Sequence, residues 1–192
     1  MCGRYFIDWK IQELLEDRSD AEVRGGLAQR EISPGMQAPA WIRGEAGLRI
    51  VPMTWGFGNG RGGLVINCRV ESMRERPMFS PLADTQRCAM PASGYFEWRR
   101  SDRQKYAIAL DGCNPIYLAG LYRRGERGTE FVVLTQPPVD GIRSIHNRMP
   151  VILRNADAMQ AWLDGRDPDA PGGKVDIRSV GDEQLRMPFD DL

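Results

Sequence analysis

A succession of short β-forming runs, each closed off by glycine, proline, asparagine or aspartate, constrains this chain most. The runs are PAWIR (39–43), LRIVPMTWGF (48–57), LVINCRV (64–70), RCAMPA (87–92), YFEWR (95–99), KYAIAL (105–110), PIYLAGLY (115–122) and EFVVLT (130–135). Aliphatic and aromatic residues at this density, broken by turn formers, read as strands joined by short connections. Only two stretches carry helical spacing. Residues 8–17 place Ile11, Leu14 and Leu15 on one face behind Asp8 as N-cap, and 155–165 form a late amphipathic helix with Asn155 or Asp157 near its start. ESMRERPMFSPLAD (71–84) reads as an irregular helix broken by Pro77 and Pro81, and KVDIRSV (174–180) as one further strand. Many strands and few helices predict an α+β domain on a curved antiparallel sheet or barrel, with its sites in the loops.

Length and charge narrow the class. A chain of 192 residues is enough for one domain with a real core, and no linker divides it, so 1–192 is expected to fold as a single unit. No apolar run approaches the roughly 20 residues that cross a bilayer, and Arg4, Asp8 and Lys10 interrupt any leader-like segment. The expectation is a cytoplasmic protein without a membrane partner. Lys and Arg number 26, as do Asp and Glu, which argues against a broadly polyanion-binding surface but leaves room for a local basic groove. Four cysteines without a CxxC pair, and a single histidine, give no zinc spacing, so no metal or other cofactor is expected. Cys68, Cys88 and Cys113 lie among apolar residues and read as core packing in a reducing compartment.

Some residues could carry chemistry. His146 stands just ahead of the apolar run MPVIL, at the lip of a strand; it is either a structural histidine or a proton carrier. Glu97 sits between Phe96 and Trp98. Strand alternation sends it to the face opposite those aromatics, either to solvent or into a cleft that would raise its pKa. In INCRVES, alternation puts Asn67, Arg69 and Glu71 on one face and Ile66, Cys68 and Val70 on the other, as in a half-buried edge strand. Cys2 follows Met1. Once Met1 is removed, it offers an α-amine of pKa about 7.7–8.0 and a thiol near 8.5 on neighbouring carbons. Such a 1,2-aminothiol captures aldehydes: the amine forms an imine, and the sulfur closes it to a thiazolidine.

Four motifs then occur in order: MCGR at the terminus, N-x-R-x-E at 67–71, RC-x-x-P-A-x-G-x-x-EW at 87–98, and H-x-RMPVIL at 146–153. Together they resemble the SOS response-associated peptidase (SRAP) family, over residues 2 to about 153, with the helix and strand of 155–180 beyond. The resemblance implies covalent capture of abasic sites in single-stranded DNA during replication or the SOS response, by a monomeric protein that is nucleoid-associated when acting on DNA. It implies Cys2 as nucleophile, Asn67 holding the sugar and positioning the Cys2 amine, Glu97 as general acid/base and His146 as proton shuttle, including in reversal. It implies phosphate contacts from Arg4, Arg69 and Arg148, a nucleic-acid face at Trp98, and further DNA-facing positions at Pro34 and Thr135. Met78 and Phe79 read equally as an apolar wedge against a base or as core. The chain departs from the family pattern at FGNGRGG (57–63) and QPPVDG (136–141).

Rival readings share the terminal cysteine. A class II glutamine amidotransferase would need an oxyanion Asn-Gly pair, for which Asn59-Gly60 is the candidate. A cysteine peptidase acting on other proteins is another, although that activity also suits removal of Met1 from the chain itself. The non-enzymatic alternative is a single-strand binding module in which Cys2 has no role.

Overall fold

The computed structural model describes residues 2–16, 31–125, 128–169 and 174–180. The chain is mostly antiparallel sheet, as its punctuated runs predict. Five strands form a closed barrel: β3 (Gln37–Gly44), β4 (Gly47–Trp55), β8 (Arg87–Ala92), β11 (Ile116–Gly125) and β12 (Gly128–Gln136). Pairing runs β12-β4-β3-β8-β11 and closes when β11 meets β12 again. One link departs from antiparallel order: β12 pairs parallel to β4, and beside it parallel to β7 (Asn67–Arg69). The short strands β13 (Met149–Pro150) and β14 (Ile152–Leu153) join the edges of β12 and β11. β5 (Phe57–Gly58) and β6 (Leu64–Val65) make a small hairpin.

A second sheet has the order β15-β10-β9-β1-β2, from Val175–Val180, Lys105–Leu110, Gly94–Trp98, Tyr5–Phe6 and Glu31–Ile32. The alternation of side chains sorts the core into faces. Phe131 and Val133 of β12, and Cys88 and Met90 of β8, share one buried cluster with Cys2, Tyr5, Tyr95 and Ile108 of the second sheet and with Ile11 and Leu15. Val132 and Leu134 turn the other way, onto Phe79, Leu82 and the helix α2 (Ala156–Leu163).

Both expected helices form where their caps place them. α1 (Trp9–Glu16) starts behind Asp8, whose carboxylate accepts the Ile11 N–H at 3.0 Å. α2 starts behind Asn155, which accepts the Ala158 N–H at 2.9 Å. Residues 71–84 differ from expectation. After a 3-10 turn at Val70–Ser72, the segment is a chain of separate turns in which Arg76 O receives Phe79 N–H and Phe79 O receives Ala83 N–H. Pro77 and Pro81 lack the amide hydrogens that would join these turns. The polar loop 17–30, Met1, the side chain of Leu14 and the tail after Val180 lie outside the described residues.

The fold's main service to the site is its grip on the start of the chain. β1 lies between β2 and β9, with Tyr5 opposite Tyr95 and Phe6 opposite Gly94. Phe96 N–H donates to Arg4 O, and Ser93 N–H to Phe6 O, each at 2.9 Å. A Cβ at Gly94 would meet Ile108 O at 2.5 Å and Phe6 Cζ at 2.6 Å, so glycine lets the Phe6 ring lie across β9. Cys2 therefore stands three residues ahead of a strand held on both sides, with no exposed surface.

Candidate active site

Cys2 has no exposed surface. Its carbonyl accepts the Asn67 Nδ2 hydrogen at 2.9 Å, which ties the first residues to β7. Burial pushes the thiol far above its ordinary value, with the Glu97 carboxyl adding to the rise and the Arg4 amide hydrogen opposing it. This corrects the sequence expectation of a thiol near 8.5: in this enclosure the sulfur stays protonated at neutral pH.

Glu97 settles between its two sequence alternatives. Phe96 packs with Phe6, Ala107 and Val180 on one face of the second sheet, and Trp98 on that face is 37% exposed. Glu97 shares the opposite face with Tyr95 and is buried. Burial raises its carboxyl pKa, the state required of a general acid at neutral pH.

His146 ends a turn in which its N–H donates to Ile142 O at 2.9 Å. It is buried, and burial lowers its pKa, so the ring is neutral at pH 7. Its Nδ1 stands 3.1 Å from the Arg148 amide nitrogen and 3.2 Å from the Arg148 carbonyl oxygen, so the Arg148 backbone orients the ring in either tautomer. The Arg148 side chain then reaches back across the sheet. Its Nη1 and Nη2 meet the two Glu71 carboxylate oxygens at 2.6 and 2.8 Å, and Nη2 also donates to Thr135 O at 2.6 Å. The fork joins the third residue of H-x-R to the last of N-x-R-x-E, so Asn67 and His146 are held on one frame.

The remaining expected residues fall into three groups. Arg4 lies 5.6 Å over the Trp98 ring and is paired with Glu31 at 2.5 Å, while Arg69 is exposed. Pro34 is half-buried, and Thr135 is buried with its hydroxyl on Cys68 O at 3.3 Å. Met78 is exposed, whereas Phe79 is buried with its ring 6.2 Å from that of Phe57. Sequence reading passed over Lys105, whose ammonium stands 5.5 Å from the Trp98 ring and 3.9 Å from that of Phe96. Only the register of β9 against β10, Trp98 opposite Lys105, reveals it.

Other features carry less. Asn59 uses its carboxamide oxygen to close its own loop, accepting the Arg61 and Gly63 amides at 2.9 and 3.0 Å. A mainly apolar cavity of ≈ 260 Å³ lies between α2 and β14; none of Cys2, Asn67, Glu97 or His146 lines it. Among the described residues, no group of His, Cys, Asp and Glu side chains could hold a metal, and no helix is long and apolar enough to cross a membrane.

The structure is a β-barrel that buries a near-terminal cysteine, with Asn67 on its carbonyl and the Glu97 carboxyl within electrostatic reach. The model of the SOS response associated peptidase (SRAP) family matches residues 1–187, and the chain belongs to that family. It is 27% identical over 178 residues to the abasic site processing protein YedK of Escherichia coli, covering 85% of this chain and 79% of that one. It is 26% identical over 186 residues to the abasic site processing protein YoqW of Bacillus subtilis, covering 88% and 83%. The abasic site processing protein HMCES of Rattus norvegicus shares 28% identity over 132 residues, which covers 51% of this chain and 37% of that protein. A crystal structure of a Bordetella bronchiseptica protein superposes with a TM-score of 0.74 at 19% identity, covering 94% of this chain and all of the other. One from Bacteroides thetaiotaomicron gives 0.72 at 20% identity, over 94% and 93%. These two likenesses speak for the fold.

Proposed function

We propose that this protein captures abasic sites in single-stranded DNA as a thiazolidine built on Cys2. One observation carries the reading: Cys2 is fully buried in a site with Asn67 on its carbonyl and an acid, Glu97, beside it. The relatives named above as abasic site processing proteins support it.

The chemistry balances on these residues. Hydrolysis of the Met1–Cys2 peptide bond by one water frees the Cys2 amine. That amine adds to the aldehyde carbon of the ring-opened sugar. A C–N bond forms, and one amine proton moves to the oxygen, a transfer that falls to His146. Protonated Glu97 gives its proton to this hydroxyl, which leaves as water, and an iminium ion remains. The sulfur adds to the iminium carbon while the thiol proton returns to Glu97. Aldehyde and aminothiol have become thiazolidine and water, and Glu97 has regained its starting state. The raised pKa of the thiol fits this order, with nitrogen attacking before sulfur. Backbone phosphates would take Arg4 and Arg148 over from Glu31 and Glu71 and meet exposed Arg69, while unstacked bases would lie on Trp98 and Met78.

The test is denaturing electrophoresis after incubation with a single-stranded oligonucleotide bearing one abasic site. A heat- and detergent-resistant slow band is expected, absent in Cys2→Ala and in protein with a blocked amine. No band from protein with a free Cys2 amine would overturn the reading. Substitution of His146 by Ala is expected to slow reversal of the adduct more than its formation.

A further inference from the structure

Buried polar groups nearly always find partners, because an unpaired one forfeits the hydrogen bonds it would make to water. Here two phenols break that rule side by side. Tyr5 and Tyr95 are fully buried, and neither hydroxyl has a hydrogen-bond partner. They face one another across the β1–β9 pair, so both rings stand on the face that Glu97 also occupies. Asn67 adds a third orphan: its Nδ2 holds Cys2 O, while its Oδ1 is buried without a partner. Three unpaired polar atoms around one buried thiol are a site prepared for a polar ligand.

The rings do not need these hydroxyls. Tyr5 packs on Trp55 with centroids 5.5 Å apart, and both tyrosines belong to the main apolar cluster, roles that phenylalanine would fill. The Cys2 sulfur lies within electrostatic reach of both phenols, and burial holds both well above their ordinary pKa, so they are hydrogen donors at any working pH. Any carbon that bonds to Cys2 must enter the enclosure they line. An oxygen on that carbon is the group that two neighbouring neutral donors suit, most of all as it gains negative charge.

Resting on the function proposed above, we propose that the Tyr5 and Tyr95 hydroxyls form a donor pair for the oxygen of the reacting aldehyde. They hold it while the Cys2 amine adds to the carbon and the C=O electron pair moves onto oxygen, and until that oxygen leaves as water with the Glu97 proton. They are catalytic residues of imine formation and have no part in C–S bond closure.

The test uses Tyr5→Phe, Tyr95→Phe and the double variant, each with a free Cys2 amine. Two rates are read: adduct formation with the abasic oligonucleotide, and alkylation of Cys2 by iodoacetamide, which builds no charge on a carbonyl oxygen. Adduct formation is expected to fall on the order of tenfold for each single variant and further in the double. Alkylation should hold its rate, and Tm should be equal to or above that of the parent. An unchanged adduct rate overturns the proposal. So does a parallel fall in both rates together with Tm, which would make the hydroxyls structural. A parent protein that forms no adduct would defeat the function itself, a separate result.

Discussion

Arg87 and Arg148 are both largely buried guanidiniums held by carboxylates, and they differ in what they leave over. Arg87 lies 4.0 Å over the Trp162 ring and commits every nitrogen. Nε donates to Ala83 O at 2.7 Å, Nη1 to Trp162 O and Arg166 O at 3.2 and 2.9 Å, and Nη2 to Asp167 at 2.9 Å. The Trp162 and Arg166 carbonyls lie at and just beyond the C-terminal end of α2, where helix carbonyls lack partners within the helix. Arg148 engages Glu71 and Thr135 through its Nη atoms, but its Nε is buried without a partner. The saturated centre joins α2 to the barrel. The unsaturated one adjoins His146 and the Cys2 enclosure, where Tyr5, Tyr95 and Asn67 also keep unpaired atoms. Full pairing marks the part that holds the fold, and incomplete pairing marks the part prepared for a ligand.

That contrast can be broken in several places. The largest effect is expected at the saturated centre. Arg87→Ala strands the Ala83, Trp162 and Arg166 carbonyls, although half-exposed Asp167 keeps its pairing with Arg74, and should cost about 2–4 kcal/mol in urea unfolding, while the folded fraction still forms adduct at the parental rate. A loss of chemistry with little loss of stability would invert the comparison.

Next comes Glu97→Gln, expected to slow adduct formation by about 100-fold or more. Its stability effect runs the other way. A carboxyl whose folded pKa is raised destabilises the fold as pH climbs from its unfolded value, about 4.3, through the folded one. Below that window the acid is protonated in both states and exerts no such effect. The variant should therefore exceed the parent in Tm at neutral pH and match it near pH 4. Equal Tm curves across the range would show that Glu97 carries no burial penalty. Parental adduct formation should also fall as pH climbs through the raised Glu97 pKa, and the variant should lack that arm.

Asn67→Ala removes the hydrogen bond to Cys2 O and should cost about 1 kcal/mol, with adduct formation slowed on the order of tenfold as the amine loses its anchor. Adduct formation at the parental rate would reduce Asn67 to a structural tie.

The smallest change is expected at Glu71→Gln. Glu71 is half-exposed, its carboxyl held below the usual range by Arg148, and stability should move by under about 1 kcal/mol. The freed guanidinium should steepen the salt dependence of single-strand binding by about 0.7 in log–log slope. A collapse of stability here would make Arg148 a second Arg87.

Much of this was readable from the chain. The turn-punctuated runs gave the sheet, Asp8 and Asn155 gave the helix starts, and simple alternation put Glu97 opposite Phe96 and Trp98. Where Glu97 goes was not readable, because that depends on β1 docking beside β9, a pairing between distant segments. The Arg148–Glu71 fork is equally remote in sequence. The parallel pairing of β12 with β4 and β7 leaves no local signature, since each strand reads alike in either direction. The thiol of Cys2 was misjudged because its pKa follows from the enclosure, which exists only in the folded state.

The shortest strands of the second sheet hold one further lesson, about time. β1 has two residues, and its partners are Ile32 with Glu31 on one side and Tyr95 with Gly94 on the other. Tyr5 and Phe6 are thus among the later residues to find their places, since β9 must be made before β1 can dock on it. Until then Cys2 has an ordinary solvated thiol and no acid beside it. Cys2 is made early and enclosed late, and a chain interrupted before Gly94 has the thiol without the enclosure.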